Sequence, residues 1–144
     1  MIIIDTNVIS EVMRPVPASA VLGWFAAQDA SELYLSAVSE AELRVGVAVM
    51  PSGKRREALM ATIDAMIDQD FAGRILPFDS SAAKAYAAIA AVRRALGRPI
   101  MDADCQIAAI AQVAGAALAT RNVADFNGCG LRIINPWQSS ATSG

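Results

Sequence analysis

Met1-Ile2-Ile3-Ile4-Asp5 places three consecutive β-branched apolar residues directly before a charge. A strand with one wet face alternates apolar and polar residues. A strand apolar on both sides must be covered on both faces, which is the situation of an interior strand in a parallel sheet. The run therefore calls for a sheet lying between helices, with Asp5 at a strand's carboxyl end. Leu33-Tyr34-Leu35, Ile75-Leu76-Pro77-Phe78, Ala117-Leu118-Ala119 and Leu131-Arg132-Ile133-Ile134 are further short strand candidates, and Pro77 favours a strand end.

Helical patterns separate these runs. Thr6-Asn7 opens a short helix that Pro15 and Pro17 stop. Ser19 to Gln28 carries Val21, Leu22, Trp24 and Phe25 on overlapping faces, with Ser19 as its expected N-cap. A helix beginning at Ser39 has Leu43, Val47 and Met50 at helical spacing, and Pro51-Ser52-Gly53 breaks it. Lys54 to about Gln69 puts Leu59, Ile63, Met66 and Ile67 on one stripe. Asp79 or Ser80 caps an alanine-rich helix running to Gly97, and Asp102, the expected N-cap of the next, leads to Gly115. Strands alternating with longer helices predict an α/β fold, a three-layer αβα sandwich with a mostly parallel central sheet. Residues 1–138 form a single domain in this reading, and the Ser/Thr/Gly/Ala stretch 139–144 is an expected frayed tail.

Composition then narrows the chemistry. Among the 144 residues there is no histidine, which excludes Ser-His-Asp and Cys-His catalysis and any histidine metal site. Two cysteines, Cys105 and Cys129, make neither a disulfide framework nor a zinc site without histidine, and point to a reduced, cytoplasmic protein. The chain is 55% hydrophobic, but much of this is alanine, and no apolar run approaches the roughly 18–20 residues of a spanning helix. Nor does the opening segment have the basic flank and long apolar core of a secretory leader. A net charge of −2 gives no global attraction to nucleic acid, so such a ligand would need local basic patches.

Carboxylates recur where a parallel sheet gathers its functional ends. Asp5 follows the first strand. Glu40 and Glu42 lie early in the helix after the second, and Asp102 and Asp104 open the helix before the fourth. Asp125 lies just beyond the fourth strand in Thr120-Arg121-Asn122-Val123-Ala124-Asp125-Phe126. Capping or helix-dipole pairing explains each acid singly. A cluster is another matter, because two carboxylates about 5 Å apart repel by roughly 3 kcal/mol at an effective dielectric of 20. It would raise pKa values or recruit a cation, and oxygen-only ligands select Mg²⁺ or Mn²⁺.

The blocks Met1 to Glu11, Ser36-Ala37-Val38-Ser39-Glu40-Ala41-Glu42-Leu43-Arg44-Val45-Gly46, Asp104-Cys105-Gln106-Ile107-Ala108-Ala109 and Thr120 to Phe126 resemble PIN-domain ribonucleases of the VapC toxin class. Ile134-Asn135-Pro136-Trp137 is similar to the close of the FitB-like branch. The resemblance runs in order over nearly the whole chain. It implies an αβα sandwich and a metal-dependent endoribonuclease acting as the toxin of a type II toxin–antitoxin pair. It also implies an acidic Mg²⁺ site, with Mn²⁺ as a possible substitute, a homodimer, and inhibition by a cognate antitoxin. By position, Asp5, Glu42 and Asp104 match the family's metal-holding acids. The family's further aspartate falls on Asn122 here, which leaves Asp125 as the substitute candidate. Thr6 and Thr120 match small polar positions that orient an acid or a water.

Among basic residues, Arg121 is nearest the inferred site and is the RNA-contact candidate. Lys54-Arg55-Arg56 and Arg93-Arg94 with Arg98 are either solvated helix faces or phosphate contacts. Two other readings stand beside the nuclease. One is a catalytically silent nucleic-acid or protein-binding module with the same fold, which Asn122 favours. The other is phosphoryl transfer through Asp5, which would prefer an acid where Asn7 stands.

Overall fold

A computed structural model of the chain describes residues 1–138; the expected tail, 139–144, lies outside the described residues. The elements are β1 (Ile2–Ile4), α1 (Thr6–Val12), α2 (Ser19–Ala26), β2 (Leu33–Ser36), α3 (Ala37–Ala48), α4 (Lys54–Ala65), β3 (Ile75–Leu76), α5 (Ser80–Ala95), α6 (Asp102–Ala114), β4 (Ala117–Ala119) and β5 (Ile133–Ile134). The five strands pair in parallel in the order β3-β2-β1-β4-β5. Chain order runs outward from β1 in one direction and resumes on its other side. The β1–β4 junction is thus a topological switch point, where open α/β sheets leave a crevice at the carboxyl ends.

The pleat divides the opening isoleucines between two cores. Ile2 and Ile4 pack with Leu35, Leu43, Val47 and Ile63 on the face covered by α1 to α4. Ile3 and Leu118 pack with Ile89, Ile107, Ala108 and Ala111 under α5 and α6. Ile3 and Ile4 are fully buried, each contributing about 1.5–3 kcal/mol by leaving water. Ala108 and Ala111 carry nothing beyond Cβ, which lets α6 lie close on the sheet. The stripe Leu59, Ile63, Met66 and Ile67 packs on the first core, with Ile63 fully buried and the other three partly so. Among the described residues no helix is long and apolar enough to cross a membrane.

The structure corrects several boundaries. Ser19 is not a cap: Ala18 holds that position with no side-chain acceptor, and its N–H donates instead to Glu11 Oε2 at 2.8 Å. The Ser36 hydroxyl accepts from the Ser39 N–H at 3.0 Å, so α3 starts at Ala37, ahead of the expected Ser39. Met101, not Asp102, precedes α6, and the Asp102 carboxylate instead accepts from the Tyr86 hydroxyl at 3.2 Å. Asp79 caps α5 as expected. After Ala65 the helix widens into a π turn, Met66–Asp70, before Phe71 is buried. Gly115 closes α6 at φ 65°, a left-handed conformation that costs glycine little.

Candidate active site

Asp5 follows β1 directly and is 4% exposed. Its Oδ1 accepts from the Thr6 N–H at 2.8 Å, capping α1. Its Oδ2 accepts from Thr120 Oγ1 at 2.7 Å and Asn7 Nδ2 at 3.0 Å. Burial is the dominant influence and raises its pKa, and Glu42 adds to the rise, while these donors act the other way.

Thr6 Oγ1 stands 2.7 Å from Glu42 Oε1 and 2.9 Å from Ser39 Oγ. An ionised carboxylate only accepts, so the Thr6 hydroxyl donates to Glu42 and takes its own hydrogen bond from Ser39. Glu42 itself is exposed at the crevice edge. Asp104, in the first turn of α6, is half-buried. Its carboxyl is pushed up to about 6, first by burial, then by the negative charge of Asp5, Asp125 and Glu42; Arg93 opposes the shift. Three acids from three other chain segments thus bear on Asp104 at one sheet edge.

Asp125 is exposed on the short 3-10 turn Val123–Phe126. Asn122, also exposed, uses its backbone N–H to reach Thr120 Oγ1 at 3.1 Å. Arg121 donates its backbone N–H to Asn7 Oδ1 at 3.2 Å, and its guanidinium lies over the Trp137 ring, 4.8 Å from the centroid. Among the described residues no three carboxylates stand close enough to hold an ion without moving. The donor chemistry nonetheless fits a hard divalent cation, because Asp5, Glu42, Asp104 and Asp125 offer only carboxylate oxygens and no nitrogen or sulfur ligand stands among them.

Other candidates fall elsewhere. Glu40 pairs with Arg44 at 2.8 Å, and Arg44 also reaches Asp64 at 2.9 Å, tying α3 to α4. Arg93 is neither a solvated face nor a phosphate contact. It is 5% exposed. Its Nη1 donates to the carbonyls of Asp125 at 2.6 Å and Asn127 at 2.9 Å, and its Nε to that of Arg98 at 2.7 Å. Lys54 and Arg55 are exposed at the start of α4, and Arg94 and Arg98 are exposed on the other side of the sheet.

Sequence reasoning missed Asn7, Ser39, Arg93 and Trp137 as members of this arrangement. From the sequence, Asn7 is only part of a helix opening and a place where an acid is lacking. A signal did exist, since an amide two residues after the strand-terminal acid shares the first turn of α1 and can reach back to it.

A family model described as PIN domain matches residues 2–126. The chain is 46% identical over 138 residues to the protein named VapC ribonuclease Y4jK of Sinorhizobium fredii, covering 96% of this chain and 99% of that one. It is 42% identical over 137 residues to Toxin FitB of Neisseria gonorrhoeae, covering 95% and 99%. The crystal structure of FitAcB from Neisseria gonorrhoeae superposes with a TM-score of 0.91 at 41% identity, covering 96% of this chain and 99% of that one. Three strand ends deliver an acid, a serine cap and a threonine to one crevice, and the matched stretch contains all four acids: the chain belongs to the PIN-domain family.

Proposed function

We propose that this protein is a metal-dependent endoribonuclease that acts in the cytoplasm as the toxin of a toxin–antitoxin pair. The observation that carries the reading is the meeting of three acids at the carboxyl edge of the sheet: Asp5 held by Thr120 at the β1–β4 switch point, Glu42 held by Thr6, and half-buried Asp104 in the first turn of α6, whose carboxyl burial and the other acids push up. Such a cluster is unfavourable by itself and is relieved by a cation. Asp5, Glu42 and Asp104 would hold Mg²⁺, or Mn²⁺ in its place. The bound ion would lower the pKa of a water and stabilise charge on a phosphodiester oxygen. Thr120 and Asn7 fix Asp5 Oδ2, Thr6 fixes Asp5 Oδ1 through its N–H and Glu42 through its hydroxyl, and Asp125 or Asn122 would orient water at the crevice rim. The names of the related ribonuclease and toxin support the reaction and the role.

A partner follows from the same charge. Beside Thr6 and Glu42 lies a groove of about 300 Å³ lined by Met13, Leu43, Val47, Leu59 and Ile63. An antitoxin segment anchored there, with a lysine or arginine against the acids, would compete with the cation through charge-assisted hydrogen bonds. The toxin is a homodimer in this reading. The direct test is cleavage of RNA oligonucleotides by purified protein with Mg²⁺, with EDTA, and by Asp104→Asn. The expected result is scission only in the first case. Equal cleavage in all three would place the activity elsewhere, and no cleavage with Mg²⁺ or Mn²⁺ would favour the silent binding module.

A further inference from the structure

Beside the acids, the carboxyl ends of β4 and β5 bring together two residues that the reaction as described leaves unused. Ala119 pairs with Ile134 across the two strands, so Arg121 and Trp137 emerge side by side. The Arg121 guanidinium lies over the half-buried Trp137 ring, 4.8 Å from its centroid. Both are anchored from behind. The Trp137 N–H donates to Asn135 Oδ1 at 3.0 Å, and the ring packs on the first core. The Arg121 N–H donates to Asn7 Oδ1, while the same Asn7 amide group holds Asp5 Oδ2. Among the described residues Arg121 makes no ion pair, although Glu11 lies within range of its charge.

A guanidinium has two faces. One is turned to the indole, and the side chain is otherwise exposed, on a residue whose backbone is tied through Asn7 to Asp5. Arginine planes and aromatic rings are the surfaces on which unpaired RNA bases stack. The indole holds the side chain in place before substrate arrives, which lowers the ordering cost of binding. The positive charge also offsets the repulsion between a carboxylate cluster and an incoming phosphodiester.

We propose that Arg121, backed by Trp137, is a nucleobase subsite that stacks one unpaired base next to the scissile phosphate, with the Asn7 amide setting its distance from Asp5. The proposal rests on the ribonuclease reading. It deepens that reading by naming the group that seats the strand. Stacking, and not charge alone, is its content, which separates it from a simple phosphate contact.

The test is anisotropy of a labelled, non-cleavable 2′-O-methyl octaadenylate, compared with the same oligomer made fully abasic. The proteins are the wild type, Arg121→Lys, Arg121→Gln and Trp137→Leu, each checked for an unchanged far-UV spectrum. Arg121→Lys is expected to weaken octaadenylate binding by about tenfold, since lysine keeps the charge but lacks the plane, and Arg121→Gln, which loses both, at least as much. Trp137→Leu is expected to weaken it several-fold, and the abasic oligomer should show little loss beyond that due to charge. Should Trp137→Leu fail to fold, the two Arg121 variants carry the test alone. Wild-type affinity in Arg121→Lys would overturn the subsite, as would equal losses for both oligomers, or no binding of octaadenylate by the wild type. Loss of binding to a basic-segment protein partner, with oligomer binding intact, would overturn it in favour of a protein contact. The two readings fail separately: stacking without cleavage of ordinary RNA sinks the nuclease and keeps the base site. Cleavage with unaltered binding in all variants does the reverse.

Discussion

The Thr120 hydroxyl donates to Asp5 Oδ2 across 2.7 Å, joining the carboxyl ends of two neighbouring strands whose residues are 115 positions apart in the chain. Thr120 is fully buried and also accepts from the Asn122 N–H and, at 3.3 Å, from Asn7 Nδ2. One hydroxyl therefore orders the acid and the rim loop together.

This fixes what Asp5→Asn should do. All three partners of the carboxylate are donors, so the new amide nitrogen must face one of them whichever way it turns. The variant should lose cleavage and also about 1–3 kcal/mol of stability for the unsatisfied contact. Urea unfolding checks the second half; an unchanged midpoint would mean that the hydrogen-bond pattern at Oδ2 is misassigned.

Asp104→Asn should behave in the opposite sense. Its carboxyl rises from 3.8 to about 6 on folding, so between those values the folded chain binds the proton more tightly than the unfolded one. That stabilisation is complete below about pH 4 and is lost as pH rises through 6. In EDTA at pH 7.5, Asp104→Asn should melt a few degrees above the wild type, and the gap should close toward pH 4.5. Mg²⁺ should raise the wild-type midpoint at pH 7.5 and leave the variant nearly unmoved. Parallel wild-type and variant curves across this range would remove Asp104 from the charged cluster.

How much of this was legible in the sequence depended on the range of the forces involved. The strands were readable because burial on both faces leaves an uninterrupted apolar run, as in Ile2-Ile3-Ile4. Asp5 was readable because a charge ending such a run marks a sheet edge. The caps were less so: Ser19 and Asp102 have the right side chains at the right places, yet Glu11 from another element accepts from the Ala18 N–H, and the Asp102 carboxylate is drawn instead to the Tyr86 hydroxyl. Arg93 was the hardest to read. Helical spacing from Ala82 and Ile89 puts it on the buried face of α5, but the carbonyls of Arg98, Asp125 and Asn127 that make an inward arginine tolerable come together only in the fold.

That buried arginine supplies a further prediction. Its guanidinium makes no ion pair among the described residues, and it ties the carbonyls of Asp125 and Asn127 to that of Arg98, so it holds the loop bearing Asp125. Arg93→Met keeps the aliphatic packing but leaves these carbonyls unpaired. A loss of about 2–4 kcal/mol is expected, along with reduced cleavage where the variant is still folded. Arg93→Lys should recover little, because one ammonium cannot span three carbonyls set around a planar fork. Full recovery by lysine would show that only the charge matters.

Asp125 and Asn122 compete for one role, and the structure separates them. Asn122 uses its backbone against Thr120, and the turn that follows has no side-chain cap from it. Asp125 is equally exposed, but its charge is felt at Asp104. A carboxylate attracts a hydrated cation, whereas an amide offers only a dipole. Single-turnover cleavage should therefore fall more for Asp125→Ala than for Asn122→Ala, with Asp125→Asn close to the alanine variant. The Arg93 bond to the Asp125 carbonyl survives all three changes, so the loop should stay in place and the difference report charge. A larger loss at Asn122, or full activity in Asp125→Asn, would return the fourth position to Asn122, where the family's usual aspartate falls.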